Sequence, residues 1–334
     1  MERYVAIDNV CAWPNLTRLP DGALVAFIFD QPTHGEWEGD VVAWASEDDG
    51  RTWHFRGVAA PHEPGTNRMN VAAGLAHDGS LLVLASGWSR RGPVGEASSP
   101  HTGEVLDPWI CRSTDGGRTW ARVGTLRGPA DGPPPGTVEH LIPFGDIVPL
   151  PGGDLGVCLY GLVPGGDNRA LFYASGDGGL TWLPRGVIRA GNANETAPLV
   201  LPSGRLLAAA RTLGDQHLDL LASDDDGATW AECGALTLGA QHPGHLLRLD
   251  DGRVLLTYGI RNRGLYGVGA RLSEDDGLTW GAPRVLAALE GSTDGGYPST
   301  VQVEGGTLVT AYYSNGIPWH QRYHMGVVRW RPDA

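Results

Sequence analysis

The side chains that could do chemistry here are histidines, tryptophans, one glutamate and one tyrosine. Seven of the 11 histidines, His34, His62, His101, His140, His217, His242 and His320, fall in segments between apolar runs. Imidazole gives or takes a proton near neutral pH and bonds sugar hydroxyls. Trp13, Trp37, Trp88, Trp109 and Trp319 lie mostly in the same kind of segment, and exposed indole rings stack on the apolar faces of sugars. Glu195 and Tyr297 each stand nine residues before a glycine turn of one recurring type. No His-x-x-x-His or comparable spacing gathers ligands, so neither a metal nor a cofactor is expected.

Two interleaved repeats must position these groups. The octad Ser-x-Asp-x-Gly-x-Thr-Trp runs from Ser46 to Trp53 and recurs at Ser113 to Trp120, Ser175 to Trp182, Ser223 to Trp230 and Ser273 to Trp280, at spacings of 67, 62, 48 and 50 residues. It reads as a hairpin turn in which Asp and Ser bond the turn's own amides, Gly takes a positive φ and Trp packs between neighbouring sheets. Between the octads an extended stretch, a glycine turn and an apolar strand recur six times, turning at Gly22, Gly79, Gly153, Gly204, Gly252 and Gly306. Six turns imply six four-stranded blades. The expected fold is all-β, a six-bladed β-propeller with four antiparallel strands per blade, forming one domain over residues 1–334. The run Tyr323 to Trp330 takes the place of a sixth octad, and Arg3 to Val10 is expected to complete that last blade. Nine residues back from each turn, Trp13, Asn70, Phe144, Glu195, Pro243 and Tyr297 share one height, at the end opposite the octads. That end should line a central cleft.

Composition agrees with many short strands. Fifty Gly and 24 Pro accompany 41% hydrophobic residues, which supplies turns and interrupts helices. A net charge of -13 argues against nucleic acid, whose binding needs clustered Lys and Arg. Cys11, Cys111, Cys158 and Cys233 form no CxxC pair and are expected to be buried free thiols. The opening Met1-Glu-Arg-Tyr-Val-Ala-Ile has no basic or apolar leader character, and no run reaches the roughly 18 apolar residues of a membrane span. A cytoplasmic protein without membrane or nucleic-acid partners is expected.

Octads of this form, called Asp boxes, make the chain similar to the sialidase superfamily over nearly its whole length. The segment Asn194-Glu195-Thr-Ala-Pro-Leu-Val-Leu-Pro-Ser-Gly-Arg-Leu-Leu-Ala-Ala-Ala-Arg211 resembles the family's Asn-Glu opening, glycine turn and strand-ending Arg. The resemblance implies that Tyr297 is a nucleophile and Glu195 the group that takes its proton. It also implies that Arg211 and Arg261, in Tyr258-Gly-Ile-Arg261, bind a substrate carboxylate, with Arg263 as a further candidate. Guanidinium groups suit that task because their fork of donors meets a carboxylate in two parallel bonds.

The chain leaves the family pattern twice. The first carboxylate-binding Arg of the family aligns with Ala12, in Cys11-Ala12-Trp13-Pro14. The family's acid/base Asp belongs in the loop from Asp30 to Asp40, where twelve residues before Ser46 stands His34. His34 or Asp40 is expected to fill that role, with Asp30 next. Trp13, Asn70, His101 and His242 are expected to touch the substrate. Three functions remain open: an exo-acting retaining glycoside hydrolase removing a terminal acidic sugar, a uronate lyase or rhamnosidase-like enzyme using cleft histidines, and a non-catalytic carbohydrate-binding propeller. All three share a carbohydrate partner, an acidic glycan.

Overall fold

Runs such as Leu24–Phe29, whose six residues are all buried, fit strands covered on both faces by neighbouring sheets. In the computed structural model, which describes residues 1–89, 104–127, 140–162, 167–290 and 292–333, such runs give an all-β fold. The first strand is β1 (Glu2–Asp8). Unit one follows with β2 (Cys11–Arg18), β3 (Leu24–Phe29), β4 (Val41–Ser46) and β5 (His54–Ala60), and unit two with β6 (Asn70–Leu75), β7 (Leu81–Ser89), β8 (Glu104–Ser113) and β9 (Ala121–Thr125). Unit three comprises β10 (His140–Pro149), β11 (Leu155–Leu162), β12 (Arg169–Ser175) and β13 (Leu183–Arg189). Unit four comprises β14 (Ala193–Val200), β15 (Leu206–Thr212), β16 (Leu218–Ser223) and β17 (Ala231–Ala235). Unit five has β18 (Gly244–Arg248), β19 (Val254–Asn262), β20 (Leu265–Ser273) and β21 (Arg284–Leu289), and unit six has β22 (Gly295–Gln302), β23 (Leu308–Ser314) and β24 (His324–Trp330) with β1 as its outer strand.

Each unit is an antiparallel four-stranded sheet, and units two and three fuse where β6 and β10 pair in parallel. That pairing needs a glycine: a Cβ on Gly74 would lie 2.3 Å from the Ile147 carbonyl oxygen. The chain's two ends meet in unit six, where Glu2 lies opposite Arg329 and Asp8 opposite His324.

Most of the apolar core is divided into six clusters, each shared by two neighbouring units. Phe27 and Val83 meet between units one and two, Leu84 and Val157 between two and three, and Phe172 and Leu206 between three and four. Leu220 and Leu256, Leu255 and Val328, and Val309 and Leu24 do the same for the remaining pairs. The last of these clusters joins unit six to unit one, so the series closes. Fully burying such a side chain is worth about 1.5–3 kcal/mol.

One end of the units carries the repeats. All six turn glycines have positive φ, from 79° to 95°, and each donates its amide to the carbonyl three residues earlier, as Gly204 does to Leu201 at 2.9 Å. In the octads, Ser46 Oγ donates to Asp48 at 2.8 Å and accepts from the Gly50 amide at 2.8 Å, while the Thr52 hydroxyl donates to Asp48 at 2.7 Å. The octad indoles pack onto the preceding unit, Trp230 against Phe172 at 5.5 Å. Three cysteines are buried, but Cys233 is exposed on the outermost strand of unit four, which corrects the expectation for that thiol.

Candidate active site

The opposite end is built from breaks in strand register. β2, β14 and β22 shift register near their starts, between Cys11 and Asn15, Ala193 and Thr196, and Gly296 and Ser299, and β10 shifts further along, between Phe144 and Val148. Such bulges bend a strand and re-aim its side chains. Those of β2, β14 and β22 contain Trp13, Glu195 and Tyr297, and that of β10 follows Phe144. At Tyr297 φ is 52° and at Ala12 it is 23°, a conformation that costs a residue with a Cβ energy and that concentrates at functional sites.

Trp13, Glu195 and Tyr297 wall a cavity of about 820 Å³, which also takes in His34, Glu36, Tyr160, Arg211, Arg261 and Asp294. At its floor Tyr297 Oη donates to Glu195 Oε1 at 2.7 Å. Arg211 Nη1 donates to Glu195 Oε2 at 2.6 Å and to Tyr297 Oη at 3.3 Å. Burial pushes the Tyr297 phenol well above its ordinary value, and Glu195 adds to the shift, so the hydroxyl keeps its proton at neutral pH. Burial opposes the Arg211 charge, but Glu195 and Tyr297 outweigh it and hold the guanidinium firmly protonated. Arg261 lies over the Tyr297 ring, 5.3 Å from its centroid, and its Nε has no hydrogen-bond partner among the described residues.

A second polar group stands in the same wall. His34 Nδ1 lies 2.9 Å from Asp294 Oδ1, Tyr313 Oη donates to that oxygen at 2.5 Å, and Tyr323 Oη donates to Asp294 Oδ2. Burial alone would raise the Asp294 carboxyl, but the bonds from His34, Tyr313 and Tyr323 bring it down to about 2. Trp13 joins the two groups, its ring centroid 5.2 Å from that of Tyr297 and 5.5 Å from that of His34.

Of the residues singled out in the sequence, the structure brings together Tyr297, Glu195, Arg211, Arg261, Trp13 and His34. Three others lie outside this wall. Asp40 accepts both the His62 amide at 2.7 Å and the His62 ring at 2.6 Å. His242 is completely buried; burial, Arg211 and Arg261 push its imidazole down to about 2, so it stays neutral. Asn70 is 2% exposed, on β6, whose pairing with β7 is unbroken in register and supplies no bulge to re-aim it. His101 lies outside the described residues. Of the tryptophans, Trp88 joins Trp13 in the wall, Trp37 and Trp319 are exposed, and Trp109 is buried with Arg68 3.9 Å from its ring.

Among the described residues the family's first Arg has no stand-in. Ala12 is fully buried among Cys11, Phe29, Met69, Tyr297 and Tyr313. Sequence reasoning missed Asp294, Tyr313 and Tyr323. The signal available was the run Asp294-Gly295-Gly296-Tyr297, where an acid and two flexible residues precede the tyrosine.

Residues 58–310 match the BNR repeat-like domain. Among curated proteins none matches this sequence. Among solved structures, a protein of unknown function from Dyadobacter fermentans is 24% identical, with a TM-score of 0.83 over 98% of this chain and 97% of that one. The Hadza microbial sialidase Hz136 is 19% identical, with a TM-score of 0.74 over 96% of this chain and 66% of its own. A Trypanosoma rangeli sialidase in complex with the inhibitor DANA is 16% identical, with a TM-score of 0.72 over 98% of this chain and 55% of its own. The chain thus spans nearly all of the first protein but only about half to two-thirds of these sialidases, and at such identities the likeness is one of fold. With the family match covering most of the chain, this protein belongs to the BNR repeat-like domain family, and it shares its fold with these sialidases.

Proposed function

We propose that the six units form a six-bladed β-propeller and that the chain is an exo-acting, retaining glycoside hydrolase removing a terminal acidic sugar. The closed series of inter-unit cores supports the first part. The second rests above all on Tyr297 Oη standing 2.7 Å from Glu195 Oε1 in the cavity wall. A sugar bearing a carboxylate on its anomeric carbon repels a carboxylate nucleophile, whereas a neutral phenol can approach it. Glu195 takes the phenol's proton as Tyr297 Oη attacks, and Arg211, bonded to both, keeps them aligned. Arg211 and Arg261 supply the positive charge that meets the substrate carboxylate.

The test is release of 4-nitrophenol from α-glycosides of N-acetylneuraminic acid and glucuronic acid. Wild type is expected to turn over one of them with retention, read by NMR, and Tyr297→Phe to lose about 10³-fold or more in kcat. Full activity in Tyr297→Phe, or binding of the sugar without release, overturns the proposal. A uronate lyase on the same cleft is the second reading, favoured by the His34–Asp294 pair. It predicts an unsaturated, ultraviolet-absorbing product from a uronate polymer.

A further inference from the structure

We infer that Asp294 makes His34 the proton donor and acceptor of the reaction, holding the imidazole by Nδ1 so that Nε2 works on the leaving-group oxygen. The inference rests on the glycosidase reading. Asp294 is the positioning residue and His34 the catalytic one.

Four observations carry it. First, an ionised carboxylate only accepts, so the 2.9 Å contact puts a proton on His34 Nδ1 and fixes where the second ring nitrogen works. Second, Asp294 is itself held on both oxygens by Tyr313 and Tyr323, whose rings stack at 6.5 Å and 15°. Third, His34 and Tyr297 flank the same two rings: Trp13 stands 5.5 and 5.2 Å from them, and Tyr313 6.4 and 5.7 Å. Both side chains therefore border one cavity, as a nucleophile and a proton donor serving one sugar must. Fourth, the loop bearing His34 is pinned, with Asn67 Nδ2 donating to the Gly35 carbonyl at 2.9 Å and the Asp40 amide donating to Asp30 Oδ1 at 2.9 Å.

The proton balance is complete without a co-reactant. In the first step the glycosidic C–O bond breaks, the Nε2 proton goes to the departing oxygen, Tyr297 Oη bonds the anomeric carbon and its proton passes to Glu195. In the second, water attacks that carbon and gives its proton to His34, while Tyr297 recovers its own from Glu195. Among the described residues, the titratable and charged groups around the pair include Glu36 on the same loop, Cys11 on β2, Tyr297 on β22, Tyr313 on β23, Tyr323 just before β24 and Arg261 on β19.

The experiment compares 4-nitrophenyl with methyl α-glycosides of N-acetylneuraminic acid and glucuronic acid. Aryl oxide leaves without help, whereas an alkoxide must be protonated. In His34→Gln and Asp294→Asn, kcat/KM on the methyl glycoside is expected to fall about 10²–10³-fold and on the nitrophenyl glycoside under about 10-fold. In Asp294→Asn the Asp294 anion no longer faces His34 Nδ1, so the pH profile of kcat/KM should change from that of wild type. Tyr313→Phe and Tyr323→Phe, which keep the carboxylate, should show the same preference at about 10-fold. Equal losses on both substrates with an unmoved profile overturn the inference and leave the glycosidase standing. If Asp294→Asn does not fold, the two tyrosine variants decide, and an unchanged leaving-group preference overturns the inference. Wild type inactive on every probe overturns the glycosidase reading and this inference with it.

Discussion

The two ends of the units are made by opposite rules. At the octad end the Ser and Asp side chains of each octad are satisfied within a few residues: Ser175 Oγ bonds Asp177, two positions on, and the Gly179 amide, four positions on. At the cavity end the partners are far apart in sequence, 102 residues for Tyr297 and Glu195 and 260 for His34 and Asp294. Positive φ occurs at both ends, but in the octads it falls on Gly or on Asp49, Asp226 and Asp276, whereas at the cavity end it falls on Tyr297 and Ala12, residue types that tolerate it less well. A local motif can be copied five times without reference to the rest of the chain. A site assembled from several units is made once. Its strain and half-used polar groups, such as the Nε of Arg211 and of Arg261, unpartnered among the described residues, are tolerated where a ligand would use them.

Substitutions at the two ends should therefore separate activity from stability. Largest is Tyr297→Phe, expected to cost about 10³-fold in kcat while thermal unfolding moves by no more than about 2 °C. An equal loss of folding would make the tyrosine a core residue and erase the contrast. Next comes Arg211→Met, which leaves the buried Glu195 without its charged partner, bonded only by Tyr297 among the described residues. It should cost about 10²-fold in kcat/KM and about 3 kcal/mol of stability by denaturant unfolding. Gly296→Ala follows: φ is 91° and the new Cβ would lie 3.1 Å from Gly259 Cα. A loss of about 1–2 kcal/mol, with a several-fold drop in kcat as Tyr297 is displaced, is expected. Smallest is Ser46→Ala at the octad end, about 1 kcal/mol and no change in kcat/KM.

Acid sharpens the same comparison. The Thr229 hydroxyl and amide and the Ser223 hydroxyl hold the Asp225 carboxyl down at about 2, and Asp294 is held there too. Both carboxyls are depressed below the ordinary unfolded value near 3.9, so their contribution is complete above about pH 4 and lost as pH falls toward 2. Unfolding midpoints measured across that window should fall for wild type, and less steeply for Asp294→Asn.

Much of this was legible in the chain. The octads and glycine turns set the order of the units and the common height of Trp13, Glu195 and Tyr297, because turn geometry depends on a few neighbouring residues. The end-to-end pairing of β1 with β24 could be read from the missing sixth octad. What misled was the assumption that equal height means equal exposure. Asn70 shares the height but not the bulge, and His242 is covered by its own burial.

By itself, then, the sequence determined everything written in local hydrogen bonds and period: strands, turns, register of the repeats and the candidates nine residues before each turn. Only the tertiary structure decided which candidates converge. It alone brought Asp294 to His34 and removed Asp40 from the wall, because those contacts depend on loop paths and strand bulges, and on a closure that joins residues hundreds of positions apart.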